Sequence, residues 1–192
     1  MTTTVYFIRH AQSDFSKGDE ASRPLTEKGM NDRQLVTAYL HDIDIGAMYS
    51  SPYKRAYDTV ADLACSVGME VVVVDGFRER RTDGLASDAD FWKLTERQWA
   101  DFSFPLPGGE CLAEVQDRNI TALNEILIRD KGKNIVIGTH GTALSTIINY
   151  YDNSYGFADF KAMVNIMPWI VKMDFNDIRC SGIEKIDLLQ RD

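Results

Sequence analysis

Short apolar runs alternate with segments of helical periodicity along most of the chain. From the apolar runs, strands are predicted at residues 5–8, 45–49, 70–75, 134–138, 169–175 and 183–186. Where apolar residues recur every three to four positions, helices are predicted at about 26–41, 51–67, 110–129 and 142–151. The unbroken apolar run at 70–75 favours burial on both faces. This alternation predicts an α/β layered fold with a largely parallel sheet, in which the last two strands lie toward an edge.

Capping residues set the predicted helix boundaries. Thr26 is expected to cap the first helix, because a threonine oxygen can accept from the unpaired N–H groups of the first turn. Ser51 followed by Pro52 predicts an N-cap and a first helical residue, and Gly68 ends that helix. Thr142 is expected to cap the helix after the fourth strand.

The segment 77–107 shows no regular period, and we expect it to be irregular. It is rich in aromatic side chains that form a candidate lid at about residues 80–107: Phe91, Trp92, Trp99, Phe102 and Phe104. The alternative is that these rings only pack the segment onto the rest of the domain. No repeat or linker divides the chain, so a single domain over 1–192 is expected.

Composition and net charge limit the classes of molecule that the protein is expected to bind. The chain has 192 residues, of which 44% are hydrophobic and 26% charged, as in ordinary globular proteins. Its formal charge of -8 argues against a nucleic-acid or anionic-membrane partner, since both need extended basic surfaces. Net charge does not exclude a small phosphate ligand, because a pocket can be locally cationic on an acidic protein.

Cysteine usage and the start of the chain indicate a cytoplasmic protein. The three cysteines, Cys65, Cys111 and Cys180, are widely spaced and form no Cys-x-x-Cys pair, so neither a disulfide framework nor a structural zinc site is expected. The first residues lack the basic region of a signal peptide. No apolar run approaches the roughly 20 residues that a transmembrane helix needs.

Candidate chemistry lies where the predicted strands end. Ligands of open α/β sheets bind beyond the carboxyl ends of the strands. Five side chains follow successive strands and would share that rim: Arg9 and His10, then Arg55, Glu79 and His140. Arginines bind phosphate oxygens, a histidine can be a nucleophile, and a carboxyl group can protonate a leaving oxygen. The set predicts phosphoryl transfer.

Six motifs in this order resemble the histidine phosphatase superfamily, also called the phosphoglycerate mutase-like family. The first, Arg-His-Ala-Gln-Ser at 9–13, is similar to the family's Arg-His-Gly-Glu/Gln-Ser/Thr signature. The others lie at residues 24–29, 50–56, 77–80, 107–110 and 138–141. The resemblance covers roughly the first 150 residues. It implies a single phosphoglycerate mutase-like domain, a three-layer α/β/α fold with a largely parallel central sheet.

The resemblance also implies a mechanism. His10 would attack phosphorus and form a phosphohistidine, while Arg9, Arg55 and His140 hold the phosphoryl oxygens. Glu79 would protonate the leaving group and then activate water. The resemblance implies no metal and no cofactor, since the arginines and histidine neutralise the charge.

Further substrate contacts implied by the resemblance fall on Ser13, Ser16, Thr139 and Gly141. For Ser13 and Thr139 the alternative is ordinary hydrogen bonding at a loop and a strand end. Three departures from the family pattern are the alanine at 11 for glycine, the serine at 16 for asparagine, and the cysteine at 111 for serine. The arginines around Glu79, at 78, 80 and 81, either bind a second anionic group or are solvated, and solvation is the favoured interpretation.

The favoured function is hydrolysis of a small phosphorylated metabolite, because the stretch 84–107 is short where mutases of the family carry a long insertion. The alternatives are phosphoglycerate mutase-type phosphoryl transfer and a non-catalytic binder of a phosphorylated ligand. Cysteine-based phosphatases need Cys-x5-Arg and many serine hydrolases need Gly-x-Ser-x-Gly, and neither motif occurs. The expected partner is a small phosphomonoester, and the sequence leaves the oligomeric state open.

Overall fold

The computed structural model describes residues 1–82 and 88–189, of which 88–90 are described by their backbone only. Its strands are β1 Thr2–Arg9, β2 Ile45–Ser50, β3 Val72–Val73, β4 Asn134–Thr139, β5 Trp169–Asn176 and β6 Arg179–Asp187. Its helices are α1 Glu27–Leu40, α2 Lys54–Val67, α3 Asp88–Ala100, α4 Leu112–Arg129, α5 Gly141–Tyr151 and α6 Phe157–Met163. A 3-10 turn spans Asp75–Phe77.

The strands form one sheet in the order β3-β2-β4-β1-β5-β6. The first four are parallel, whereas β5 and β6 run antiparallel to their neighbours. Strand β1 shows how the layers arise, since its side chains alternate between the two faces. Val5 and Phe7 enter a core with α4 and α5, and Tyr6 and Ile8 enter another with α1 and α2. The predicted three-layer α/β/α fold with a largely parallel sheet is confirmed.

Of the four capping or ending residues predicted, Thr26 and Gly68 are confirmed, whereas Ser51 and, as described below, Thr142 are not. Thr26 caps α1 by accepting from the Gly29 N–H, and Gly68 ends α2 in the left-handed conformation at φ +67°. The predicted cap at Ser51 is wrong, because α2 begins at Lys54 with Tyr53 as its N-cap. The Ser51 hydroxyl is engaged elsewhere: it accepts from the Tyr53 N–H and lies 2.7 Å from His140 Nε2.

The third strand is shorter and more exposed than predicted. Only Val72 and Val73 are extended in β3, and they are 51% and 52% exposed. The strand is at the edge of the sheet and has a hydrogen-bonded neighbour on one side only. The flanking Val71 and Val74 pack against the two cores instead. Of the last two strands, β6 is at the other edge, whereas β5 lies between β1 and β6.

Two helices were not predicted. The segment expected to be irregular contains α3, and α6 follows α5. Of the predicted lid at 80–107, residues 83–87 lie outside the described part of the chain. Trp99 packs on Phe160 with ring centroids 5.7 Å apart. This contact agrees with the alternative prediction that the aromatic rings pack the segment onto the rest of the domain. No helix in the described ranges is long and apolar enough to cross a membrane.

Helix α5 begins without a cap from Thr142, contrary to prediction. His140 is the N-cap residue, and the Thr142 N–H donates to the Glu79 carboxylate. A carboxylate from another part of the chain therefore replaces the predicted threonine cap.

The loop after β1 is fixed by a close backbone approach. Gly29 of α1 lies against Gln12, so that a Cβ at this position would be 2.1 Å from the Gln12 carbonyl oxygen. We expect Gly29→Ala to lower the free energy of unfolding by about 1–3 kcal/mol, the usual cost of overpacking. Urea denaturation measures it. Gly156→Ala is the matched control, because its Cβ would meet nothing within 4 Å. Equal effects of the two substitutions would contradict the prediction.

Candidate active site

Strand pairing brings the two predicted histidines together. Arg9 at the end of β1 pairs in parallel with Thr139 at the end of β4. The next residue of each strand, His10 or His140, therefore leaves the sheet beside the other. The His10 N–H donates to the Thr139 carbonyl at 3.1 Å, and the ring centroids are 5.3 Å apart.

The His10 ring is fixed with Nε2 unprotonated. Its Nδ1 lies 2.7 Å from the Ala11 carbonyl oxygen, which can only accept, so Nδ1 carries the proton. Nε2 then holds a lone pair and accepts from Arg55 Nε at 3.2 Å. The Ala11 N–H donates to Thr59 Oγ1 at 3.0 Å, which holds the loop behind the ring. The alanine that departs from the family's glycine is thus fully accommodated in the core.

Both histidines are held neutral. Burial, followed by the charge of Arg55, lowers the pKa of His10 well below its usual range. Burial and Arg55 lower the pKa of His140 in the same way. At neutral pH both rings are therefore uncharged, and a neutral imidazole is the nucleophilic form.

Arg55 connects His10 to a glutamate. Besides its bond to His10, Arg55 donates from Nη1 to the Glu20 carbonyl and from Nη2 to the Glu20 carboxylate. The same carboxylate pairs with Arg23 at 3.1 Å. Glu20 is about half exposed, whereas Arg55 is fully buried. A half-exposed carboxylate therefore occupies two of the arginines that line the cavity.

Arg9 is aimed by main-chain oxygens from the C-terminal part of the chain. Its Nη1 donates to the carbonyls of Met163 and Ile166 at 2.7 and 3.0 Å. Its Nε is buried without a hydrogen-bond partner among the described residues. Burial lowers the pKa of Arg9 to about 10, while the charge of Glu79 opposes this shift. Arg9 is thus cationic at neutral pH and keeps an unused donor.

Glu79 sits at the N-terminus of α5. Its two carboxylate oxygens accept from the backbone N–H groups of Arg80, Thr142 and Ala143 at 2.7, 3.0 and 3.2 Å. N–H groups at a helix start favour negative charge. These contacts place the carboxylate on the same rim as His10.

A buried ion pair behind this segment fixes its backbone. Arg118 of α4 donates to the carbonyls of Gly76, Arg78 and Glu79. It also pairs with Glu110 at 3.0 Å. The rim that carries Glu79 is therefore anchored from α4.

His140 is fully buried beside His10 and is not among the described residues that line the cavity. Its Nε2 is 2.7 Å from Ser51 Oγ, and its Nδ1 is buried without a partner in the described part of the chain. The Ser51 oxygen already accepts from Tyr53 N–H, so its proton is free to go to Nε2. On this arrangement we assign the proton of His140 to Nδ1.

A cavity of about 490 Å³ opens beside these residues. Among the residues that the structure describes, its charged lining is four arginines and two glutamates: Arg9, Arg23, Arg55, Arg80, Glu20 and Glu79. His10, Gly141 and Thr142 also line it, together with aromatic side chains that include Phe91, Trp92 and Phe160. The cavity is therefore locally cationic in a chain whose net charge is -8.

Three predicted substrate contacts lie outside the cavity lining. Ser13 is buried with its hydroxyl unpartnered among the described residues, and Thr139 donates to the Phe77 carbonyl at 3.4 Å. Ser16 is exposed and bonds Asp14 at 2.6 Å. Thr139 therefore fits the alternative prediction of an ordinary hydrogen bond at a strand end. Ser16 is held by Asp14 and is not part of the cavity lining.

Two charged residues of the cavity wall were missed from the sequence, and the burial of a third was not foreseen. Glu20 and Arg23 lie in the loop 14–24, which has no strand end to signal a site. Arg80 was interpreted as solvated, yet it is 2% exposed, because Thr95 and Gln98 of α3 accept from its guanidinium. Phe91, Thr95 and Gln98 are spaced as one helix face, and that spacing was the available signal.

The comparisons with known proteins agree on one family. The model of the histidine phosphatase superfamily (branch 1) matches residues 5–165. A 2,3-bisphosphoglycerate-dependent phosphoglycerate mutase of Thermoplasma acidophilum is 28% identical over 178 residues, which cover 83% of this chain and 84% of that protein.

Solved structures share the fold at low identity. A mycobacterial glucosyl-3-phosphoglycerate phosphatase has a TM-score of 0.76 and 17% identity, covering 96% of this chain and 97% of its own. A phosphoserine phosphatase mutant from Entamoeba histolytica, in complex with phosphoserine, has a TM-score of 0.75 and 18% identity, covering 94% and 96%.

The buried histidines predict an acid-sensitive fold. Their pKa values are lowered in the folded state, so the unfolded chain binds more protons as pH falls below about 6.5, and stability decreases. Each contributes a loss of up to about 1.4 kcal/mol per pH unit below that point. We expect His140→Asn to reduce this slope in urea denaturation between pH 7 and 5. The exposed His41 supplies the control, and a His41→Gln variant with the same reduced slope would contradict the assignment.

Glu20 engages donors of Arg55 and Arg23 that an anion in the cavity would need. We expect Glu20→Gln to tighten binding of inorganic phosphate about two- to fivefold, in line with the value of a partly exposed ion pair. Isothermal titration calorimetry measures this. Glu27→Gln removes the same charge from an exposed position of α1 and serves as the control. Weaker binding by the Glu20 variant would show that Glu20 orients the arginines instead.

Proposed function

Because the chain belongs to the histidine phosphatase superfamily (branch 1), we propose that it hydrolyses phosphomonoesters through a phosphohistidine on His10. One observation carries the proposal: His10 presents an unprotonated Nε2 in a cationic cavity, with Nδ1 bound to the Ala11 carbonyl. A neutral imidazole beside arginines is suited to attack a phosphoryl group, whose negative oxygens need cationic donors.

In the first step the His10 Nε2 lone pair attacks phosphorus, and the bond from phosphorus to the ester oxygen breaks. Glu79, in its protonated form, gives its proton to that leaving oxygen. Arg55 and Arg9 donate to the phosphoryl oxygens, for which Arg9 keeps its unused Nε. For this attack the Arg55 N–H must release the His10 Nε2 lone pair, and Arg55 must exchange Glu20 for the substrate.

In the second step the Glu79 carboxylate takes a proton from water. The water oxygen bonds to phosphorus while the bond from phosphorus to His10 Nε2 breaks, which returns the lone pair to the ring. Inorganic phosphate leaves, and Glu79 is protonated again for the next cycle. The N-terminus of α5 beside Glu79 supports its anionic form between the two steps.

His140 acts as a hydrogen-bond donor in this proposal. Ser51 occupies its Nε2, so the buried and unpartnered Nδ1 carries the proton. A phosphoryl oxygen on His10, whose ring is 5.3 Å away, supplies the missing acceptor.

The proposed substrate is a small phosphorylated metabolite. The cavity of about 490 Å³ is in the range of small-molecule sites, and its aromatic wall gives an organic group a surface to contact. The names of similar proteins include phosphoserine and phosphoglycerate. The arginines supply the positive charge, so the proposal requires no metal. A cytoplasmic location, as expected from the sparse cysteines, is part of the same proposal.

Hydrolysis of a generic aryl phosphate in EDTA tests the proposal. We expect turnover by the wild type and a loss of at least about a thousandfold in His10→Ala, as for removal of a covalent nucleophile. His41→Ala, on the surface, is the matched control. Acid-labile, base-stable phosphate attached to the wild-type protein would identify the phosphohistidine.

Three results would overturn the proposal. Turnover that survives in His10→Ala would show that His10 is not the nucleophile. An absence of turnover in the wild type would favour the alternative of a non-catalytic phospho-ligand binder. Phosphoryl transfer between the hydroxyls of a phosphoglycerate that exceeds loss to water identifies a mutase.

A further inference from the structure

A second cavity, of about 300 Å³, adjoins the cavity beside His10. Met163 lines both cavities, whereas Ile166 lines the second. The main-chain carbonyls of these two residues accept from Arg9 Nη1 at 2.7 and 3.0 Å. The segment that aims Arg9 is therefore part of the wall of the second cavity.

The rest of this wall offers aromatic surface. Tyr155 and Trp169 both line the second cavity and are only 2% and 3% exposed. The Tyr155 hydroxyl is 3.2 Å from the Ser145 hydroxyl, so the polar end of this ring is engaged within the protein. Burial raises the pKa of Tyr155 to about 12, and the charge of Arg9 is among the effects that oppose this shift. The aromatic wall thus also lies close to Arg9.

Three charged side chains at the second cavity form no ion pair with any described residue. They are Asp159 of α6 and Lys185 and Asp187 of β6. The Lys185 ammonium group lies over the Tyr155 ring, 4.7 Å from its centroid. Each carboxylate accepts one backbone N–H, which leaves its other oxygen without a hydrogen bond to a described residue. Charges of both signs are therefore available to a ligand.

We propose that the second cavity binds a small zwitterion, an α-amino acid with an apolar or aromatic side chain. Lys185 and Asp187 are two positions apart on β6, so they project from the same face of the sheet, about 7 Å apart along the strand. The ligand carboxylate pairs with Lys185, and its ammonium group pairs with Asp187 and Asp159. Its side chain contacts Tyr155 and Trp169. A volume of about 300 Å³ is at the lower end of the range for small-molecule sites.

The charges favour a zwitterion over a singly charged ion. A cation alone would be repelled by the unpaired Lys185, and an anion alone would be repelled by the two aspartates. A ligand with both charges pairs with both signs and avoids each repulsion.

An occupant of the second cavity also acts on Arg9. It packs against Met163 and Ile166, and so restricts the carbonyls that aim the guanidinium. We expect the bound amino acid to tighten binding of inorganic phosphate at Arg9, and phosphate to tighten binding of the amino acid by the same factor. This coupling requires that Arg9 contacts the anion, but it does not require hydrolysis.

A matched series tests the site: L-phenylalanine, 2-phenylethylamine, which lacks the carboxylate, and 3-phenylpropionate, which lacks the ammonium group. The indole signal of Trp169 reports binding by NMR, and Trp169→Phe assigns that signal. We expect saturable binding of L-phenylalanine, with a Kd about two- to fivefold lower than that of each singly charged compound, the value of a partly exposed ion pair. Shifts that grow without saturation, or equal affinities for all three compounds, would overturn the proposal.

Two variants each remove a charge of one sign. Lys185→Met should abolish the preference over 2-phenylethylamine, and Asp187→Asn should reduce the preference over 3-phenylpropionate. Each should leave the other preference in place, which a general loss of structure would not do. Glu184→Gln is the matched control, because Glu184 lies between them on β6, points to the other face of the sheet and pairs with Lys172 at 3.6 Å. Preferences that both variants leave unchanged overturn the site. If Asp187→Asn fails to fold, Lys185→Met decides.

Calorimetry with inorganic phosphate tests the coupling to Arg9. We expect saturating L-phenylalanine to lower the Kd of phosphate about fivefold, at the low end of known couplings between sites. A Kd of phosphate that stays constant overturns the coupling, even where L-phenylalanine binds. Neither measurement depends on turnover. Coupled binding without turnover of an aryl phosphate would therefore support this inference and contradict only the proposed hydrolysis.

Discussion

The parallel pairing of β1 with β4 is the constraint on which the site depends. In-register pairing of Arg9 with Thr139 lets two distant segments release a histidine at the same height of the sheet. The other side chains of the site are arranged around these two histidines. Arg55 contacts His10, Ser51 contacts His140, and Glu79 lies at the start of the helix that follows β4. A slip of one residue would turn one of the two histidines toward the opposite face of the sheet.

Burial then sets the chemistry of these groups. The same desolvation that holds both histidines neutral makes the arginines costly to bury. The protein balances part of that cost internally, with main-chain carbonyls for Arg9 and with Glu20 for Arg55. The remainder of the positive charge faces the cavity, where an anionic ligand can balance it. The acidic surface and the cationic cavity are thus separate properties of one chain.

Sequence reasoning found the parts that depend on order along the chain. The side chains at the ends of β1, β2 and β4 lie at the same edge of the sheet, because parallel strands run in the same direction. The sequence alone was therefore enough to place Arg9, His10, Arg55 and His140 at that edge. It failed where distant segments decide the outcome. The exposure of Val72, the burial of Arg80 and the contact of Glu20 with Arg55 depend on partners far away in sequence. Local periodicity contains no information about those partners.

The direction of β5 has a consequence for how this site tolerates sequence change. Because β5 runs antiparallel to β1, the segment that leads into it returns to the active rim and offers the carbonyls of Met163 and Ile166 to Arg9. Main-chain oxygens are present in every residue type. Their role in aiming Arg9 therefore restricts the path and length of this segment more than the identity of its side chains, although Met163 adds a contact from its Sδ to Arg9 at 3.3 Å. An insertion or deletion before β5 would disorient Arg9 while all the signature residues stayed in place.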